Sequence, residues 1–328
     1  MLVGPARRCY TLAMDDRVIR GLESLPAEAR GGVLTIGNFD GVHVGHQRIV
    51  AAARELADAD ALPVTAMTFE PPPDLVVRPQ DAPRRLTLPE QKADLLRRVG
   101  ADWVLFVAAD RRLLALAPGE FIRRIVCEFV APRHVVEGQD FSFGCGRTGN
   151  VDTLRAAGGG LGFDVHVVEA VTVDLPDGPQ RVCSTLIRDL VSAGRVELAA
   201  RCLGRPFALY GQVVAGCGRG RSLGFPTTNI TAPEQVAPGD GIYAGWADVD
   251  ERTFAAAISV GEQPTFAGQA RTVEAHLLDV DDDFYGRFMA LRFVARLRGQ
   301  RQFDGPAALS AQIAKDVERV REICQRSV

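Results

Sequence analysis

Apolar residues recur along this chain in two rhythms, and the change from one to the other divides it. In the first half, short β-branched runs are apolar at nearly every position: GGVLTIG (31–37), LPVTAMTF (62–69), DWVLFVAA (102–109), RHVVEG (133–138) and DVHVVEAV (164–171). Between them the spacing turns helical, in HQRIVAAARELADA (46–59), LPEQKADLLRRVG (88–100) and APGEFIRRIVCEFV (117–130). Buried strands alternating with helices predict βαβ units and a parallel sheet. Ligands of such sheets gather outside the carboxyl ends of the strands.

From about Phe207 the rhythm shortens to two, in YGQVVAGC, GIYAGWADV and TVEAHLLDV. In RFMALRFVARLR, the residues Met289, Leu291, Phe293, Ala295 and Leu297 share one face, and Arg292, Arg296 and Arg298 the other. That alternation predicts antiparallel strands with one wet face. The chain closes on a helical stripe of Leu309, Ile313, Val317, Val320 and Cys324. An antiparallel sheet or small barrel with a terminal helix follows. The natural boundary is LGRPF at 203–207, after the helix VELAARCLG, and no repeat or low-complexity segment interrupts either half.

Composition narrows the field. A chain of 328 residues, 47% hydrophobic and 24% charged, has the makeup of a folded two-domain protein. Its formal net charge of -3 argues against a nucleic-acid partner. The seven cysteines contain no CxxC pair and read as reduced thiols in a cytoplasmic protein. MLVGPARRCYTLAMDD does not read as a signal peptide, and the absence of any run of 18 apolar residues predicts no membrane span.

The chemistry concentrates at LTIGNFDGVHVGHQRIV (34–50), where His43 and His46, two of only five histidines, stand at a strand-to-helix junction. Three roles compete. A zinc pair fits the spacing, but a third ligand at recognisable spacing is missing. The imidazoles could cap or pack, although Gly41 and Gly45 flank them where a core wants side chains. Phosphate chemistry fits every residue: a helix N-terminus offers free N–H groups to an anion, glycines let the backbone approach, and two imidazoles brace charge at phosphorus. Ser184-Thr185 with Arg188 in STLIR suits two readings, an ordinary capped helix or a helix start whose hydroxyls and guanidinium hold a phosphate. GCGRTG (144–149) satisfies G-x-G-x-x-G but sits in mid-domain rather than on the first βα turn. GCGRGRSLGFPTTN (216–229) is glycine-rich without the G-K-[ST] of a Walker loop. The acidic run Asp279, Asp281, Asp282, Asp283 fails the EF-hand pattern at Phe284 and Ala290, leaving a charged turn.

GNFDGVHVGH resembles the HxGH signature of the nucleotidyltransferase superfamily. TFEPPP, EGQDFSFGCGRTGN, STLIRDLVSAGRVELAARCLGRPF, GRGRSLGFPTTNI and EAHLLDVDDDFYG, in that order, resemble the bifunctional bacterial riboflavin kinase/FAD synthetases over nearly the whole chain. The resemblance implies a Rossmann-like nucleotidyltransferase domain over 1–186, a helical joint over 187–205, and an antiparallel β-barrel riboflavin kinase domain with a C-terminal helix over 206–328. It implies phosphorylation of riboflavin to FMN and adenylylation of FMN to FAD, with ATP and Mg²⁺ as requirements. His43 and His46 would stabilise charge at the α-phosphorus of ATP. Asn38, Asp40, Gly41, Gly45, Ser184, Thr185 and Arg188 would form the ATP-phosphate site, with Asp140, Phe141 and Arg147 on the flavin side. In the second domain Gly218, Arg221 and Gly224 would line the phosphate loop, Thr227 and Asn229 would hold Mg²⁺, and Glu274 would be the general base.

This chain departs from the family pattern at Pro72, where histidine is common, at Cys183 in place of a serine, and at Cys145 in place of a lysine. Thr228 within PTTN is a milder change. Two rivals follow: a riboflavin kinase with a weak or idle first module, and a non-catalytic flavin-binding protein.

Overall fold

The structure, a computed structural model, describes residues 15–215, 224–232, 234–265 and 268–326, with side chains at 262–265 and 268–271 left aside. The chain divides into two compact units, Met14–Ser184 and Thr185–Val328.

The first unit opens with β1 (Val18–Arg20), β2 (Val33–Ile36), α1 (Val44–Asp60), β3 (Val64–Phe69), α2 (Pro73–Val77) and α3 (Pro89–Arg98). It continues through β4 (Trp103–Val107), α4 (Arg111–Leu114), and α5 (Pro118–Phe121), which runs on as a π-helix over Ile122–Val130. Then come β5 (His134–Gly138), the short pair β6 (Ser142–Phe143) and β7 (Gly149–Asn150), α6 (Val151–Leu161) and β8 (Asp164–Val168). The hairpin β9 (Thr172–Leu175) and β10 (Gly178–Arg181) closes the unit.

Six parallel strands form one sheet in the order β1-β4-β3-β2-β5-β8. The five apolar runs supply β2, β3, β4, β5 and β8. The sixth strand, β1, is only three residues of an edge, too short to show a pattern. Consecutive residues serve opposite faces. Val33, Ala66 and Val104 pack with α1, and Leu34, Met67 and Leu105 with the helix through Ile122 and Val126. Both faces are covered, so the runs are continuously apolar rather than alternating. The strand order reverses between β2 and β5, which places a ligand crevice where β2 hands over to α1.

The second unit begins at Thr185 within α7 (Ser184–Ser192), followed by α8 (Val196–Leu203). β11 (Phe207–Val214), β12 (Thr228–Thr231), β13 (Gly241–Val249), β14 (Arg252–Thr265), β15 (Gly268–Leu277) and β16 (Phe288–Arg298) follow, then the C-terminal helix Pro306–Arg326. The strands close into a barrel in the order β11-β12-β15-β14-β13-β16. Closure leaves no open edge to pair with another chain.

β16 corrects the simple two-face expectation. Met289, Leu291 and Phe293 are buried as the alternation requires. Two register shifts against β13, at Ile242/Tyr243 and Ala244/Gly245, then alter the far end. Leu297 packs instead with Ala244, Val320 and Cys324 against the C-terminal helix. The arginine face is not simply wet: Arg292 pairs with Asp248 at 2.7 Å, and Arg298 with Asp316 of the terminal helix at 2.7 Å. Alternation reads only a strand's own pleat, and a bulge resets the pleat. The acidic run lies in the connection between β15 and β16: Asp282 pairs with Arg252 at 2.7 Å, Asp279 with Arg321, and Asp283 accepts from the Tyr285 N–H at 2.9 Å.

Candidate active sites

After β2 the chain makes a tight loop with left-handed backbone at Phe39 (φ 46°), Gly41 (φ 85°) and Val42 (φ 39°). Such angles cost a non-glycine residue ~1–3 kcal/mol and persist only where surroundings over-determine them. Here Phe39 and Val42 are fully buried anchors. The Asp40 carboxylate accepts from the Leu86 and Thr87 N–H groups, each at 3.0 Å, and from the Thr87 hydroxyl at 3.1 Å. The Gly41 N–H donates to Thr87 Oγ1 at 3.0 Å, Thr68 Oγ1 donates to the Asn38 carbonyl at 3.2 Å, and Ser184 Oγ to the Asp40 carbonyl at 2.9 Å. Three separate segments thus fix the loop.

His43 is the N-cap of α1, its Nδ1 accepting from the His46 N–H at 3.3 Å. The two rings stack with centroids 3.6 Å apart and an interplanar angle of 16°. A Cβ on Gly45 would stand 3.1 Å from the His43 ring, which is why glycine occupies that position. Capping and phosphate chemistry are therefore compatible. Accepting at Nδ1 sets the neutral His43 tautomer with its proton on Nε2.

Sequence reasoning missed the clamp that holds this loop: Thr68, Arg85, Thr87 and Lys92. Arg85 makes a two-pronged pair with Glu70, at 2.8 and 2.9 Å. Lys92 is buried on α3, and its Nζ donates to Thr68 Oγ1 at 3.2 Å. The available signal was a lysine inside the apolar stripe of that helix, beside Ala93 and Leu96. Glu137 was also passed over. It is buried near the end of β5, its carboxylate accepts from the Ile36 N–H at 2.6 Å, and burial drives its pKa well above the usual carboxylate range.

Farther along, Asp140 pairs with Arg181 of the β9–β10 hairpin, and Phe141 stacks on Phe143 with centroids 5.4 Å apart. Arg147 lies exposed in a loop whose backbone is left-handed at Gly144, Gly146 and Arg147 itself. A Cβ on Gly149 would meet the Phe143 ring at 2.8 Å. The glycines of GCGRTG therefore have local steric reasons. Cys145 is exposed there and Cys183 half-buried just before α7. Thr185 and Arg188 stand on α7, within its first five residues.

In the barrel, Thr228–Ile230 of β12 pair with β15 so that Asn229 lies opposite Glu274. Thr227 Oγ1 donates to Glu274 Oε2 at 3.5 Å, and His276 Nδ1 lies 2.8 Å from the Pro226 carbonyl. Glu274 and His276 are half-buried on one face of β15, while Val273, Ala275 and Leu277 are buried on the other. Gly224, with φ of 83°, leads into this segment, while Gly218 and Arg221 lie outside the described residues. A hydroxyl and a carboxylate thus meet, with an asparagine at the register position opposite, and oxygen donors of this kind fit Mg²⁺. No cluster of three or more His, Cys, Asp or Glu suited to a metal occurs among the described residues.

Comparison with known proteins bears on both sites. The FAD synthetase family model matches residues 25–186 and the riboflavin kinase model residues 203–324. A bifunctional riboflavin kinase/FMN adenylyltransferase of Pseudomonas fluorescens is 38% identical over 95% of this chain and 99% of its own. The Escherichia coli K12 protein of the same name is 38% identical, covering 93% and 97%, and the Bacillus subtilis one 31% identical, covering 88% and 91%. A solved Streptococcus pneumoniae structure described as a macrolide-efflux protein matches with a TM-score of 0.84 at 27% identity, over 93% of this chain and 99% of that one. No helix among the described residues of this chain is long and apolar enough to cross a membrane. With both models matched in order, and relatives above 30% identity spanning almost their full length, the chain belongs to the bifunctional riboflavin kinase/FMN adenylyltransferase family.

Proposed function

We propose that this chain phosphorylates riboflavin to FMN and then transfers AMP from ATP to FMN, giving FAD and pyrophosphate. Residues up to 186 serve the second reaction, 187–205 join the halves, and 206–328 serve the first, all in the cytoplasm. The observation that supports this reading is one chain with a histidine-capped helix start at a sheet switch point in one unit, and a carboxylate facing a threonine and opposite an asparagine in the barrel of the other.

In the first site the α1 N-terminus receives the ATP phosphates. His43 and His46, braced against each other, donate to oxygens whose charge grows as the α-phosphorus is attacked. Ser184, bonded to the Asp40 carbonyl of the same loop, stands on the side of the departing pyrophosphate. Asp140, Phe141 and Arg147 take the flavin side. In the second site Glu274 receives the proton of the ribityl hydroxyl as it attacks the γ-phosphorus of ATP. Thr227 and Asn229 would hold Mg²⁺, which supplies charge neutralisation on the transferred phosphoryl.

The test is a time course of purified protein with riboflavin, ATP and Mg²⁺, the flavins being separated chromatographically. FMN is expected to rise and then give way to FAD. Accumulation of FMN without FAD, even when FMN and ATP are supplied directly, would leave a kinase whose first module is idle through Pro72, Cys145 and Cys183.

A further inference from the structure

A buried cation lies beneath the loop that carries the histidines. Lys92 is 3% exposed, reaching from α3 to the carboxyl end of β3. Its neighbours come from four segments: Thr68 on β3, the Phe106 ring on β4 at 5.8 Å, the carboxylates of Asp40 and Glu70, and the Arg85 guanidinium. Burying an ammonium is costly, and hydrophobic side chains of the same length would fill the space more cheaply. Its use lies in direction. An ammonium only donates. Thr68 Oγ1 must therefore accept from Lys92 at 3.2 Å, which leaves its single hydrogen for the Asn38 carbonyl at 3.2 Å. Asn38 is the second residue after β2, and the loop it opens ends on His43.

We propose that Lys92 is a positioning residue for FMN adenylylation, acting through a one-way relay from its ammonium to the Thr68 hydroxyl to the Asn38 carbonyl that fixes the loop presenting His43 and His46. The inference rests on the assignment of those histidines to the adenylyltransfer site. A neutral amine can accept as well as donate, so the relay loses its direction when Lys92 is deprotonated. Burial lowers this pKa from 10.5 to about 8, with Asp40 and Glu70 opposing the fall and Arg85 adding to it. FAD formation should accordingly decline as pH rises through about 8. FMN formation, carried out by the other unit, serves as the internal control.

The experiment measures both rates on the full chain from about pH 7 to pH 9.5, for wild type, Lys92→Met, Thr68→Val and the double variant, with thermal unfolding of each. In wild type the ratio of FAD to FMN formation is expected to fall with a midpoint near pH 8. Lys92→Met is expected to lose about tenfold or more in FAD formation at pH 7, keep FMN formation, abolish the fall with pH, and unfold no earlier than wild type. Thr68→Val should show the same loss, and the double variant should be no worse than either single one, as members of one relay require. A flat wild-type ratio through pH 8, or wild-type FAD formation by Lys92→Met, would overturn the proposal. So would losses that merely track a lowered unfolding midpoint. Should Lys92→Met not fold, the wild-type profile and Thr68→Val decide. Wild type forming no FAD at pH 7 is a different failure, that of the histidine assignment itself.

Discussion

At the residue scale, buried polar side chains shape the first site. Glu137 shows the energetic side. The β2–β5 ladder is paired at Val33 and Leu34, and the Ile36 N–H finds its acceptor in the Glu137 carboxylate instead. Burial raises the pKa of this carboxyl in the folded state above its unfolded value. The unfolded chain therefore gives up the proton first, so stability is full below the ordinary carboxylate range and declines as pH rises toward the raised value. Glu137→Gln keeps an acceptor for Ile36 and cannot ionise. Its unfolding midpoint relative to wild type should rise as pH climbs above the ordinary carboxylate range; a constant difference would mean that the carboxyl is not held neutral. The stacked histidines make the counterpart in the proposed adenylyltransfer step. Replacing both His43 and His46 with alanine should cut FAD formation by about 100-fold or more while FMN formation persists. Unchanged FAD synthesis would remove these residues from the reaction.

At the element scale, the C-terminal helix is latched to the barrel by charge as well as by its apolar stripe. Val317, Val320, Ile323 and Cys324 supply the apolar contacts. Arg298 reaches Asp316, whose side chain is only 8% exposed, and Gln312 adds a hydrogen bond at 2.8 Å. Removing one partner of such a pair strands the other. Asp316→Ala should destabilise the second unit by about 3 kcal/mol in urea unfolding. An effect under about 1 kcal/mol would class the pair with ordinary surface bridges. The stripe itself was legible from its period, although Leu309 and Ile313 are only half-buried where the helix begins. The polar latch was not, because it joins residues whose proximity depends on where the helix docks.

At the scale of the whole molecule, two catalytic units in one chain predict separable defects. Glu274→Ala should reduce FMN formation by about 100-fold or more, the range typical of a lost general base, and leave conversion of supplied FMN to FAD intact. Assaying each half-reaction separately checks this, and loss of both activities would contradict independent sites.

What the sequence determined by itself is whatever depends on near neighbours in the chain. The continuous apolar runs specify a doubly covered parallel sheet. The shortened rhythm after Phe207 specifies antiparallel strands, and Gly41-Val42-His43-Val44-Gly45-His46 marks a tight turn into a capped helix start. Those signals are local because a strand's pleat, a helix's stripe and a cap are each set within a few residues. Tertiary structure alone decided which distant segments secure that turn. Thr68, Arg85, Thr87 and Lys92 acquire their roles only when β3 and α3 come to lie against the loop. It also decided that Glu137 faces the Ile36 amide across 101 positions of sequence, and that bulges turn the end of β16 toward the terminal helix. A hydrogen bond between remote residues leaves no period in the sequence, since its geometry exists only once the sheet and barrel have formed.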